Sequence, residues 1–155
     1  MNYRKAKITD VEDIHYLLTY YSREGLVLAR PRAELYENIR EFSVVDDNGT
    51  IAGAGSLHIM WHDLAEIRSL AVEPSYTRQG VGSSLVKLFL KEAEELCIPR
   101  VFTLTYKEEF FIKCSFQRIA KEELPQKVWR DCIACPKFPN CDEIAMIKEL
   151  DTSIE

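Results

Sequence analysis

The feature that most constrains this chain is Leu70-Ala71-Val72-Glu73-Pro74-Ser75-Tyr76-Thr77-Arg78-Gln79-Gly80-Val81-Gly82-Ser83-Ser84-Leu85, an apolar strand that breaks at Pro74 into a glycine turn and then opens a helix. With no Cβ at Gly80 or Gly82 the backbone can crowd against a ligand, and the unpaired N–H groups of the following helix point at it with the positive end of the dipole. A glycine pair alone is compatible with an ordinary helix start. The strand before it and the helix after it are the setting in which successive N–H groups form an anion nest. Two phosphate-binding designs are excluded or weakened by the residues themselves. A nucleoside triphosphatase loop needs Gly-Lys-Ser/Thr, whereas Gly82 is followed by Ser83. A dinucleotide fold places three glycines in its first βα turn near the N-terminus, whereas this loop lies mid-chain with two.

The rest of the chain predicts an α+β domain. At 155 residues with 46% hydrophobic content it can bury a core, and it is short for two ordinary domains, so one domain over 1–155 is expected. Lys and Arg number 20 against 25 Asp and Glu, a formal charge of −5 with the signs interspersed, which argues against a nucleic-acid partner. A phosphate-rich ligand must therefore be attracted locally. No apolar run is long enough to span a bilayer, and Met1-Asn2-Tyr3-Arg4-Lys5-Ala6-Lys7 lacks the apolar core of a signal peptide, so a cytoplasmic protein without a membrane partner is expected.

Tyr3 to Ile8 reads as a strand, and Thr9-Asp10-Val11-Glu12 as a capping box opening a helix with Val11, Ile14, Leu18 and Tyr21 on one face and Gly25 at its end. Pro31 permits a second helix over Ala33 to Arg40 with Leu35 and Ile39 inward. The period then changes to two. Phe42 to Asp46, the turn Asp47-Asn48-Gly49 and Ile51 to Met60 form a hairpin, and Leu64 to Val72 is the strand that enters the glycine loop. The helix after the loop carries a buried stripe of Leu85, Phe89, Ala93 and Leu96, and Pro99 stops it. Val101 to Thr105, Phe116 to Ala120 and Glu143 to Lys148 are strands, with a short helix over Glu109 to Lys113.

Thr77-Arg78-Gln79-Gly80-Val81-Gly82 resembles the acyl-CoA loop of the GCN5-related N-acetyltransferase (GNAT) superfamily, Q/R-x-x-G-x-G/A, with Thr77 at the position usually held by Gln or Arg and Arg78 next to it. The element order matches as well. The resemblance implies a central mixed, mostly antiparallel sheet flanked by helices, with the acyl-CoA loop between strand 4 and the next helix. It implies that the N–H groups of Arg78, Gln79, Gly80, Val81, Gly82 and Ser83 hold the CoA pyrophosphate. The backbone of Leu70, Ala71 and Val72 at the strand end would then pair with the pantetheine arm.

Acetyl transfer to an amine needs a free lone pair, so an ammonium must first lose a proton to a positioned base. Alternation along Leu64 to Val72 puts Glu66, Arg68 and Leu70 on one face and Ala65, Ile67, Ser69 and Ala71 on the other. Glu66 can be the base, or it can form a surface ion pair with Arg68 on an exposed strand face. Ala65-Glu66-Ile67-Arg68-Ser69-Leu70-Ala71-Val72 resembles the corresponding strand of amino-acid N-acetyltransferases of the N-acetylglutamate synthase type, and there Glu66 falls on the general-base glutamate. Glu123 to Glu143, which holds a cysteine-containing loop at about 125–143, is similar to a segment of the short members of that group. An amino-acid acceptor presents a carboxylate beside its amine, and arginine binds carboxylates bidentately. Arg30, in the segment that usually walls the acceptor site, and Arg68 are the candidates, ahead of Arg32 and Lys127.

The tyrosine that usually protonates the leaving thiolate falls on Phe111 in Phe110-Phe111-Ile112-Lys113-Cys114-Ser115-Phe116, and Ser115 replaces the usual glycine. The acid is therefore unassigned, with Tyr106 as a substitute and release of the thiolate without an acid as the alternative. The serine used in larger N-acetylglutamate synthases falls near Lys107 and Glu108 and does not carry over. Cys132-x-x-Cys135 and Cys141 have ligand-like spacing for zinc but are one donor short, so a reduced loop packed by Trp129 and Phe138 is favoured. His15, His58 and His62 read as structural or surface residues. The reading is an acetyl-CoA-dependent amino-acid N-acetyltransferase, with L-glutamate as the favoured small-molecule acceptor, in the first step of arginine biosynthesis. A polyamine, a drug or a protein N-terminus as acceptor, or a non-catalytic CoA-binding or zinc-containing module, are the alternatives. A homodimer is compatible with the sequence.

Overall fold

Period-two alternation and turn chemistry set the strands close to where they are expected. The computed structural model describes residues 1–125, 128 and 142–151. In chain order the elements are β1 (Asn2–Lys5), α1 (Val11–Arg23), α2 (Arg32–Glu37), β2 (Phe42–Asp47), β3 (Thr50–Trp61), β4 (Leu64–Val72), α3 (Val81–Glu95), β5 (Arg100–Thr105), α4 (Glu108–Lys113), β6 (Gln117–Ile119) and β7 (Ile144–Glu149). The strands hydrogen-bond in the order β1-β2-β3-β4-β5-β7-β6, a seven-stranded sheet. β4 and β5 run parallel, while β1–β2, β2–β3, β5–β7 and β6–β7 are antiparallel. This is the expected mixed α+β architecture.

The chain packs as two compact units, one of Met1–His58 with Ile67–Glu92 and one of Ile59–Glu66 with Ala93–Glu155. In the first, Asn48 and Gly49 both take positive φ, +51° and +96°, the two-residue turn whose twist matches a hairpin. Val11, Ile14, Leu17 and Leu18 of α1 and Leu35 of α2 pack with Phe42, Val44, Ala54 and Ala71 in one buried cluster. Gly53 and Gly55 of β3 let α3 approach closely. A Cβ at Gly53 would lie 2.8 Å from Val81 Cγ1, and one at Gly55 would lie 3.0 Å from the Phe89 ring, so a side chain at either position would have to push those α3 side chains aside.

Several boundaries differ from expectation. β1 stops at Lys5, and Ile8–Asp10 forms a 3-10 turn ahead of α1. Thr9 does not cap the helix. Asp10 instead accepts from the Lys7 N–H at 2.7 Å and a bidentate pair from Arg4 at 2.8 and 3.1 Å, and Arg4 also donates to Asp46 at 3.1 Å. One guanidinium thus ties β1, the 3-10 turn and the hairpin together. α2 ends at Glu37 and is followed by a second 3-10 turn, Ile39–Glu41, so Ile39 is only half-buried.

Replacing Arg4 by Met leaves the 6%-exposed Asp10 without its cation and is expected to destabilise the fold by about 2–3 kcal/mol, read as a lower urea midpoint. The Arg4 hydrogen bonds, then the Lys7 N–H, hold the Asp10 carboxyl below its ordinary value of 3.8, against burial. A depressed folded pKa contributes stability above the unfolded pKa and loses it as pH falls through the folded one. The gap between wild type and Arg4→Met is therefore expected to be full at neutral pH and to close below about pH 4.

In the second unit Met60, Leu64, Phe102, Leu124, Val128, Ala145 and Ile147 form the core. α3 ends in a reversal there. Cys97 takes φ +63°, its N–H donates to Glu94 O at 3.0 Å, and the Ile98 N–H donates to Ala93 O at 2.9 Å. This Schellman motif turns the chain so that Ile98 is buried and Leu96 is 51% exposed, against the expectation that Leu96 completes the stripe. Ser115, at φ +70°, closes α4 by the same two bonds, to Ile112 O and from Phe116 to Phe111 O. The motif brings the Phe111 and Phe116 rings to 5.2 Å.

Candidate active site

In the first unit the last residues of β4 depart from regular strand geometry. Ser69 has φ +56°, a left-handed step in the middle of the strand. The step resets the alternation, so the face expected to carry Glu66, Arg68 and Leu70 does not run through. Leu70 lies against Gly55 of β3, its Cδ1 3.1 Å from where a Gly55 Cβ would be. Ser69, expected on the apolar face, accepts a hydrogen bond from Arg30 Nη1 at 3.0 Å. Ser56 Oγ donates to the Arg68 carbonyl at 3.1 Å, and the Tyr21 hydroxyl donates to the Val72 carbonyl at 2.5 Å. Desolvation by burial raises the Tyr21 phenol above its ordinary range.

Arg30 reaches β4 from the segment before α2. Its side chain is 10% exposed, its Cζ lies 5.7 Å from the Phe42 ring centroid, and its Nε is 2.9 Å from Glu34 Oε1. That last contact is a charge contact only, because the N–H is not directed at the oxygen and Nε makes no hydrogen bond. Arg32, by contrast, forms an exposed pair with Glu12 at 2.8 Å. Lys127 lies outside the described residues.

The loop after β4 is tied to the hairpin. The Glu73 N–H donates to Ala52 O at 2.8 Å, and the Tyr76 hydroxyl donates to Asp47 Oδ2 at 2.7 Å, which also raises the phenol's pKa. Between them Pro74–Tyr76 is a 3-10 turn in which the Glu73 carboxylate accepts from the Ser75 N–H at 2.9 Å and from its hydroxyl. Arg78 and Gly80 then take φ +66° and +78°. The first α3 ladder bond runs from Ser84 N–H to Gly80 O at 3.0 Å, so the amides just ahead of Ser84 precede the ladder at the positive end of the helix. A turn that alternates backbone handedness in this way gathers N–H groups around an anion. Sequence reasoning did not single out Ser56, Tyr21 or Tyr76 as site residues, because a hydroxyl's partner depends on tertiary placement and not on spacing.

In the second unit Glu66 is 7% exposed, in register with Phe102 of β5. Phe111, where the superfamily usually has its acid, is 3% exposed and packed edge-on against Phe110 and Phe116. The Tyr106 hydroxyl donates to Asp142 Oδ1 at 2.7 Å. Cys132, Cys135 and Cys141, with Trp129 and Phe138, lie outside the described residues. Among the described residues no group of three or more His, Cys, Asp or Glu is placed to hold a metal ion. His58 sits in β3 paired with Glu41 at 2.9 Å, and His62 lies in the turn after it, as expected of structural or surface residues.

Comparison with known proteins agrees with this arrangement. Residues 10–116 match the model of the acetyltransferase (GNAT) family. An uncharacterised N-acetyltransferase of Chlorobaculum tepidum is 40% identical over 147 residues, covering 95% of each chain. An amino-acid acetyltransferase of Mycobacterium tuberculosis is 39% identical over 119 residues, 75% of this chain and 68% of the other. The crystal structure of N-acetylglutamate synthase from Neisseria gonorrhoeae, complexed with coenzyme A and N-acetyl-glutamate, superposes with a TM-score of 0.88 at 27% identity over 96% of this chain and 35% of that one. A strand with a left-handed step at Ser69, a tethered glycine loop and a helix opening behind it, together with a family match over most of the sequence, establish that the chain belongs to the GNAT family of acetyltransferases.

Proposed function

We propose that residues 1–155 act as one N-acetyltransferase domain that moves acetyl from acetyl-CoA to the α-amine of an amino acid, with L-glutamate as acceptor, as in the first step of arginine biosynthesis in the cytoplasm. Membership of the family and the likeness to amino-acid acetyltransferases support acetyl-CoA-dependent acylation of an amino acid. The coenzyme A and N-acetyl-glutamate of the gonococcal structure support the cofactor and the choice of glutamate. The observation that carries the acceptor reading is Arg30, an always-charged guanidinium nine-tenths buried beside β4, because with Nε facing Glu34 and Nη1 bonded to Ser69 its other N–H groups can bind a second carboxylate.

In this reading the N–H groups of Arg78, Gln79, Gly80, Val81, Gly82 and Ser83 hold the CoA pyrophosphate. The main chain of Leu70, Ala71 and Val72 pairs with the pantetheine arm. Arg30 and Arg68 take the acceptor's carboxylates. Glu66 removes a proton from the ammonium, the amine nitrogen attacks the thioester carbonyl, the N–C bond forms and the C–S bond breaks. CoA leaves as a thiolate, the second proton shed by the nitrogen as the amide forms passes through solvent to that thiolate, and Glu66 returns the first proton to water.

The test is thiol release from acetyl-CoA across a panel of L-amino acids, spermidine and an N-terminal peptide. Turnover with glutamate at a kcat/KM at least about tenfold above every other acceptor is the expected result. Turnover confined to polyamine or peptide contradicts the acceptor assignment, and CoA binding without turnover on any amine contradicts the reaction.

A further inference from the structure

Ser69 holds a backbone conformation that residues with a side chain seldom adopt, φ +56°, inside β4. Such a residue persists where its surroundings overdetermine it. If backbone shape were all the position required, glycine would supply it with less strain. What glycine lacks is the hydroxyl, and that hydroxyl accepts from Arg30 Nη1 at 3.0 Å. The rest of the Arg30 head is held less firmly. Its Nε lies near Glu34 without hydrogen bonding, and its Cζ lies 5.7 Å from the Phe42 ring centroid, a contact that is not directional as a hydrogen bond is. The hydrogen bond to Ser69 fixes the rotation of that head.

We propose that Ser69 is a positioning residue for the acceptor. Its left-handed step places Oγ so that Arg30 is turned with its remaining N–H groups toward the carboxylate beside the attacking amine. A guanidinium binds a carboxylate through two parallel N–H groups, so a rotation in its plane spoils one of the two bonds. The proposal rests on Arg30 binding that carboxylate, and the experiment separates the two claims.

Full-length Ser69→Gly, Ser69→Asn and Arg30→Leu proteins are compared with wild type by initial rates, varying L-glutamate at saturating acetyl-CoA and the reverse, and by urea unfolding. Ser69→Gly is expected to be at least as stable as wild type, to raise KM for glutamate about tenfold, and to leave KM for acetyl-CoA and kcat within about twofold. A merely structural serine gives the opposite pattern, lower stability with both KM values disturbed. Ser69→Asn, which tolerates left-handed φ and carries an acceptor oxygen, is expected to recover much of the glutamate KM. A Ser69→Gly enzyme with wild-type glutamate KM overturns the proposal while a raised KM in Arg30→Leu leaves the carboxylate assignment standing. If Arg30→Leu itself leaves glutamate KM unchanged, both claims fall.

Discussion

Glu66→Gln is expected to lower kcat at neutral pH by about 100-fold or more while leaving the KM of acetyl-CoA near wild type. Glutamine keeps the size and shape of a side chain that is 7% exposed, so the change removes the carboxylate's charge and basicity at nearly constant volume. The pH profile separates a lost base from a distorted site. Without the carboxylate, only acceptor that has already lost its proton to solvent can react, and below the amine's own pKa that fraction rises tenfold per pH unit. Glu66→Gln is therefore expected to gain rate with a slope near one in log rate against pH. Wild type, which supplies its own base, should rise more gently. A variant slow by the same factor at every pH would mean that Glu66 shapes the site and does not deprotonate the amine.

The second large effect is expected at Gly80. Its φ of +78° lies where a β-branched residue is a severe outlier, although nothing crowds the position, the nearest atom to an added Cβ being Ser83 Oγ at 4.0 Å. Gly80→Val therefore tests conformation, not space. Restoring φ to negative values moves the carbonyl that accepts the first α3 bond from Ser84 and with it the amides in front of it. Calorimetric titration should show CoA affinity falling about 10- to 100-fold, as strain of about 1–3 kcal/mol would give. Gly80→Asn, which tolerates left-handed backbone, should fall much less. Equal affinity for CoA in wild type and Gly80→Val would mean that the turn does not hold the pyrophosphate.

Much of this architecture is written in local chemistry. Asn48-Gly49 announces its hairpin because few other dipeptides accept two positive φ values, and β4 has its expected bounds because its apolar run is closed by Glu73-Pro74. One motif illustrates what stays hidden. α1, α3 and α4 all end in the same pair of reversed hydrogen bonds. At α1 the left-handed residue is Gly25, and the helix end is plain from the sequence. At α3 it is Cys97 and at α4 Ser115, residues that carry no such signal. Hence Leu96 looks like a fourth buried position, and Ser115 looks like a departure from the superfamily when it performs the glycine's conformational task.

The site divides along the same line. The glycine loop follows from its residues, and the proposal of Glu66 from the need for a base on the strand that enters it. Strict alternation fails at Ser69, whose left-handed φ has no local signal in the sequence and whose hydroxyl partner, Arg30, lies 39 positions away. The tethers Tyr21 to Val72 and Tyr76 to Asp47 are likewise long-range and leave no periodic trace. Likewise Arg4, an ordinary N-terminal cation by sequence, turns out to bind Asp10 and Asp46 together.

The central claim is direct transfer of the acetyl group from the thioester to the acceptor's α-nitrogen. It is tested by mixing the full-length protein with acetyl-CoA carrying a labelled carbonyl carbon and one equivalent of L-glutamate, and following the label by NMR. The expected result is one new amide carbonyl on the α-nitrogen, growing as the thioester signal declines, with no labelled protein. Label that stays in the thioester, or that settles on a side chain of the enzyme, would contradict it.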